Sequence, residues 1–190
     1  MTSEKLPAYI FAAAALTALP AMVYASDNPG AHQHGHAGLQ VAVSGNQIDL
    51  IFTSPAYNLL GFEHKARTEA QKIRVKDTIA WLGDTPLVNT PESGCSLNEA
   101  DVHSDAGPDD DNGDHHDHGH DHGEQPGSHS DIDVTQTLTC SGLEDSDELA
   151  TPLTTRFPEL EELSVEWVWS EGQGSVRLAQ GESNFTLTAK

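Results

Sequence analysis

Leu39-Gln40-Val41-Ala42-Val43-Ser44-Gly45-Asn46-Gln47-Ile48-Asp49-Leu50-Ile51-Phe52 is the stretch that decides the fold. Leu39, Val41 and Val43 alternate with polar or small residues, and Ile48, Leu50 and Phe52 alternate again. A period of two places each set on one face of a strand. Ser44-Gly45-Asn46 between them is turn chemistry, so the stretch reads as a β-hairpin with one apolar face.

Further along the chain, Ser54-Pro55 reads as an N-cap followed by proline in the first turn of a short helix through Leu60, ended by Gly61. From Lys65 to Leu82 a helical period takes over. Ala66, Ala70, Ile73 and Ala80 share one face, Ile79 and Trp81 lie beside it, and Gly83 terminates the run. Thr85 to Gly94 reads as a short extended segment leading to Cys95. Ile132, Val134, Gln136, Leu138 and Cys140 alternate along another strand, and Asp145 to Thr155 is a short helix or loop. Leu163 to Trp169 forms a further strand, paired with Ser175 to Leu178 across Gly172-Gln173-Gly174, and Asn184 to Thr188 closes the sheet. The fold class is α+β: a mainly antiparallel sheet with one longer and one or two short helices, and a disordered His/Asp-rich insertion. Short loops, which cannot make crossovers, are the reason for antiparallel pairing.

The insertion covers residues 99–130. Its centre is Asp109-Asp110-Asp111-Asn112-Gly113-Asp114-His115-His116-Asp117-His118-Gly119-His120-Asp121-His122-Gly123-Glu124. It has no apolar side chain to offset an ordering cost of roughly 1–2 kcal/mol per residue. It is instead dense in imidazole nitrogens and carboxylate oxygens, the ligands that suit zinc and its first-row neighbours. The candidate metal ligands are His103, His115, His116, His118, His120, His122 and His129, with Asp114, Asp117 and Asp121. His32, His34 and His36 form a smaller patch, in which His-x-His spacing on an extended arm turns the rings to one side. His64, beside Glu63 at a helix junction, is a cap or a ligand, and His129-Ser130-Asp131 enters the following strand. A tract of this kind wraps several exchangeable ions and does not build one defined site. Imidazole ligates only when unprotonated, so capacity falls as pH drops through about 6.5. Calcium is disfavoured, because no EF-hand or nonapeptide repeat is present and imidazole is the wrong ligand for a hard cation. Copper(II) and nickel bind imidazole at least as well as zinc.

At 190 residues the chain accommodates one ordinary domain with appendages, and its formal charge of −21 excludes nucleic acid as a partner and favours cations. Residues 1–25 have the form of a secretory signal. Lys5 is the basic element beside Glu4, an apolar run from Tyr9 reaches about Val23, and Val23-Tyr24-Ala25 precedes cleavage before Ser26. The run is short for a membrane span and is broken by Pro20, so no membrane insertion is expected after cleavage. Residues 26–38 are then a flexible His-containing arm, and 39–190 a single α+β domain interrupted by the loop. In an oxidising compartment Cys95 and Cys140 join as a disulfide, closing a loop of about 45 residues that contains the insertion and is worth up to ~4 kcal/mol. The other reading leaves them as two reduced thiols ligating metal. No HExxH, GxSxG or phosphate loop is present, so the chain reads as a binder and not an enzyme.

Several segments together resemble one family. They are His32-Gln33-His34-Gly35-His36; Ser54-Pro55-Ala56-Tyr57-Asn58-Leu59-Leu60-Gly61-Phe62-Glu63-His64; Gly94-Cys95-Ser96-Leu97; Ser130-Asp131-Ile132-Asp133; Phe157-Pro158-Glu159-Leu160-Glu161-Glu162-Leu163; Trp167; and Gly172-Gln173-Gly174. The chain resembles the zinc-regulated periplasmic proteins of Gram-negative bacteria called ZrgA, with the Asn58 to His64 segment as the most specific match. The resemblance implies a periplasmic zinc-binding protein that serves zinc acquisition, without enzymatic activity. On that reading it captures or buffers zinc and hands it to a periplasmic import component. The alternative is an envelope structural or interaction module whose loop binds divalent metals, copper and nickel included, without a transport role. The binding subunit of an importer is a third option, for which a mature chain of about 165 residues is short.

Overall fold

The alternation in Leu39–Phe52 produces the hairpin it encodes. β1 (His36–Ser44) and β2 (Gln47–Pro55) pair antiparallel, with Val43 opposite Ile48 and Leu39 opposite Phe52. The structure, a computed structural model, describes residues 33–91, 94–106, 130–143 and 147–188. The proposed signal, His32 and most of the His/Asp tract lie outside the described residues.

Beyond β2 come α1 (Ala56–Leu60), α2 (Glu69–Asp84), β3 (Cys95–Ser104), β4 (Asp131–Cys140), β5 (Glu148–Ala150) and α3 (Leu153–Arg156). β6 (Glu162–Trp169), β7 (Gly172–Ala179) and β8 (Asn184–Thr186) follow. Six strands form one sheet in the order β3-β4-β2-β1-β6-β7. Its pairs are antiparallel except β1 with β6, which run parallel in register from His36–Glu162 to Ala42–Val168. The exception has a simple cause. β1 and β6 are separated by most of the chain, which is ample for a crossover, so the short-loop argument does not reach them.

Other departures are equally local. β3 carries Glu99 to Ser104, residues read above as the start of the insertion; a bulge lies between Leu97 and Glu99. β8 does not close the main sheet but pairs with β5 in a two-stranded sheet of its own, and β5 lies within the stretch read as helix or loop. The β6–β7 turn is Ser170-Glu171, because Gly172 to Gly174 already belong to β7. Gly174 sits opposite Trp167, and a Cβ there would lie 2.5 Å from the indole, so the ring requires a glycine beside it.

α2 begins at a capping box. Thr68 Oγ1 accepts from the Gln71 amide at 3.2 Å, and Gln71 Oε1 accepts from the Thr68 amide at 3.1 Å. Val75, Thr78 and Leu82 face inward, and Ile73 stands out in solvent, so the buried stripe is not the alanine-rich one. The other end of α2 is capped from the sheet. Buried Gln136 of β4 donates through Nε2 to the carbonyls of Leu82 and Thr85, and its Oε1 accepts from the Leu87 amide. That arrangement satisfies carbonyls which a helix end otherwise leaves unpaired.

Leu39, Val41, Ile48, Leu50, Phe52, Ile132, Val134, Leu138, Leu163, Val165 and Trp167 all point to one face of the sheet and join a single core with Val75 and Leu82. The opposite face is open.

Candidate functional site

One end of the sheet gathers the chemistry. β1 begins there at His36, β2 ends at Pro55, β3 ends at Ser104 and β4 starts at Asp131. Asn58 in α1 is the internal anchor of this end. Fully buried, it accepts from the Gly35 amide at 2.7 Å and donates to the His36 carbonyl at 2.8 Å and to Ser54 Oγ at 3.2 Å. Ser54 therefore holds Asn58 and makes no side-chain cap on α1, whose N-cap position is Pro55. The Gly35 carbonyl accepts from the Glu161 and Glu162 amides, both at 2.8 Å. With φ at 82° and Glu161 atoms 3.1 Å from where a Cβ would stand, Gly35 is a position only glycine fills without strain.

These bonds fix the two histidines that flank Gly35, and they send them to different neighbours. His34 stacks on Tyr57, with ring centroids 4.4 Å apart, and its Nε2 lies 2.7 Å from Glu63 Oε1. His36 Nδ1 lies 3.4 Å from Glu162 Oε1, a carboxylate that Arg177 Nε also approaches at 3.6 Å. His64 is exposed, stacks on Phe62, and donates from Nδ1 to the Lys65 carbonyl at 2.8 Å. A carbonyl only accepts, so Nδ1 carries the proton and the neutral ring keeps its lone pair on Nε2, the arrangement a metal ligand needs.

The His/Asp tract is attached at this same place. The Ala66 amide donates to the Ala106 carbonyl at 3.3 Å, on the outgoing side of the tract. On the returning side Ser130 Oγ donates to the Glu63 carbonyl at 2.7 Å, and the Ser130 carbonyl accepts from the Ala56 amide at 2.8 Å. Ala106 and Ser130, the described residues on either side of the tract, are thus both bonded to Glu63–Ala66, with His64 between the two attachment points and His34 bonded to Glu63.

His103 lies elsewhere, on the open face of edge strand β3. It faces Asp133 across the ladder, with Nε2 at 3.3 Å from Asp105 Oδ1 and both side chains about 70% exposed (72% and 70%). His32, His115, His116, His118, His120, His122, His129, Asp114, Asp117 and Asp121 lie outside the described residues. Among the described residues no group of three or more His, Cys, Asp or Glu is arranged to hold a metal ion. What the fold brings together is the His34–Glu63 pair, with His64 next to Glu63 in sequence and bonded to its own neighbours. His36 and His103 have separate partners.

Cys95 and Cys140 form a disulfide between directly paired residues of β3 and β4. This removes them from any ligand set. It also stands at the far end of the hairpin from the tract, so the staple does not grip the insertion where it leaves the fold.

A family model described as ZrgA family zinc uptake protein matches residues 31–187, from the arm through β8. The chain belongs to the ZrgA family. No curated protein matches it at a significant level. Membership of the ZrgA family gives the protein a zinc-related role, and its disulfide fits an exported member of that family. The described residues contain no helix long and apolar enough to cross a membrane. Asn58, Tyr57 and Glu162 were not singled out as site residues by sequence reasoning. The one available signal was Asn58, a polar residue inside the most specific motif.

Proposed function

We propose that this protein is a periplasmic zinc buffer: it captures zinc on the His/Asp tract, holds it exchangeably and passes it to an import component. The observation that carries the reading is the attachment of the tract at Glu63–Ala66, which places His34 and His64 at its mouth. Zinc is the cargo here. His115, His116, His118, His120 and His122 with Asp114, Asp117 and Asp121 make up the capture set, and His103 and His129 flank it. His34 and His64 serve as an intermediate station at the fold, and His32 and His36 are further candidate ligands of the arm. A tract offering many near-equivalent ligand sets binds several ions of moderate affinity, and such ions exchange quickly enough to be handed on. Saturated imidazole ligation leaves no open coordination position, so the protein carries metal and performs no reaction with it.

The test is a calorimetric zinc titration of the chain from Ser26 onward, at neutral and acid pH. Several ions should bind at neutral pH. Protonated imidazole has no lone pair for metal, so capacity should fall as pH drops through about 6.5. Absence of zinc binding at neutral pH, or capacity unaltered in acid, overturns the reading.

A further inference from the structure

The open face of the six-stranded sheet is a second feature, independent of the histidines. Register lines its outward residues in rows. Asp101, Thr135, Ile51, Gln40, Glu166 and Ser175 form one row; Glu99, Thr137, Asp49, Ala42, Val168 and Gln173 form the next. All six strands curl about these rows and line one open groove of about 940 Å³.

Two properties of the groove call for a partner. Ile51 and Val168 stand 48% and 53% exposed on it, two of only three large exposed hydrophobic side chains among the described residues. They lie on a diagonal through Ala42, on a surface where an antiparallel sheet ordinarily presents polar side chains to water. The second property is charge. Asp49, Glu99, Asp101 and Glu166 surround the diagonal, and no Lys, Arg or His lines the groove. Asp49 is held in place by Thr137 Oγ1 and Gln47 Nε2, both at 2.8 Å. The described cations are segregated from this face. Lys65, Arg67, Lys72, Arg74 and Lys76 lie in or just before α2, and Arg156 lies against Trp81, all on the side of the core. Arg177 alone shares the open face, in an outer row beside Glu162.

We propose that this groove docks an extended segment of a partner protein that carries Lys or Arg side chains around apolar ones. Charge complementarity selects the occupant. A second copy would bring acid against acid in a chain of formal charge −21, whereas a basic segment sets its cations beside the four carboxylates and covers Ile51 and Val168.

The probe is a nine-residue peptide, Lys-Ser-Val-Ser-Lys-Ser-Val-Ser-Lys, which at ~3.3 Å per residue is long enough to span the rows and which, extended, turns its lysines and valines to the same face. It is titrated into the chain from Ser26 onward with chelator present, so that the result is separate from zinc capture. NMR shifts should concentrate on the amides of Gln40, Asp49, Ile51, Thr135, Glu166 and Val168. The combined variant Asp49→Asn, Glu99→Gln, Asp101→Asn, Glu166→Gln should weaken binding at least about tenfold. An equal charge change on the other side, Glu69→Gln, Asp77→Asn, Asp84→Asn, Glu159→Gln, should leave it within about twofold. Ile51→Ser with Val168→Ser should weaken binding without any change in net charge. Zinc stoichiometry of the groove variants should equal that of the parent. Equal weakening by both charge sets, shifts centred outside the groove, or concentration-dependent self-association through the same amides would each overturn the proposal.

Discussion

The β3–β4 pair is held in different ways at its two ends. At one end Cys95 and Cys140 face each other and are covalently joined. About 30 Å away, nine residues at ~3.3 Å each, the pair opens into the His/Asp tract. There, among the described residues, it is secured without a covalent link, by the buried Ala106 and by hydrogen bonds from Ala66 to Ala106, Ser130 to Glu63 and Ala56 to Ser130. The first end serves stability and offers no ligand. The second carries the imidazoles and touches the segment that holds His64. The two jobs are separated along one hairpin, so each is removable without the other.

The largest effect should come from the covalent end. Cys95→Ala with Cys140→Ala releases a loop of sequence separation 45 in the unfolded chain, which costs about 4 kcal/mol by loop-closure entropy. Urea unfolding should show that loss while calorimetry shows unchanged zinc stoichiometry; a parallel fall in zinc binding breaks the separation. Next is Asn58→Ala at the other end, which strands the buried Gly35 amide and His36 carbonyl. It should cost about 2–3 kcal/mol and should disturb the His34 and His36 ring resonances in NMR. Ser130→Ala removes one hydrogen bond at the mouth, and a loss of about 1 kcal/mol is expected in the same unfolding assay. The smallest effect sharpens the comparison most. Replacing residues 107–129 by a two-residue turn roughly halves the loop that the disulfide closes, so breaking the disulfide should cost about 0.6 kcal/mol less in that background.

Legibility followed the range of the interactions. The β1–β2 hairpin was readable because Leu39 to Phe52 carry the pattern and the turn in one short stretch. The parallel partner of β1 was not, since nothing within β1 names a strand that begins at Glu162. β3 was hidden by its chemistry. Ala100 and Val102 do alternate inward, but Glu99, Asp101 and His103 point outward and merge with the acidic composition that follows. α2 was placed in the right stretch on the wrong face, because its buried stripe of Val75, Thr78 and Leu82 includes a threonine and Ile73 is left in solvent. The His/Asp tract was conspicuous by composition. Its attachment to Glu63–Ala66 was not, as one of the two bonds joins backbone groups that any residue type supplies and the other comes from a single serine hydroxyl. The disulfide pairing was readable from the cysteine count, but its distance from the mouth of the tract depended on the unread strand β3.

The central claim is that residues 107–129 capture the zinc and the disulfide-braced fold does not. The direct measurement is the number of zinc ions bound at neutral pH by a chain in which those residues are replaced by a two-residue turn, with β3 and β4 kept whole. Loss of all but one or fewer of the parent's ions is the expected result. Retention of the parent's full stoichiometry would contradict the account.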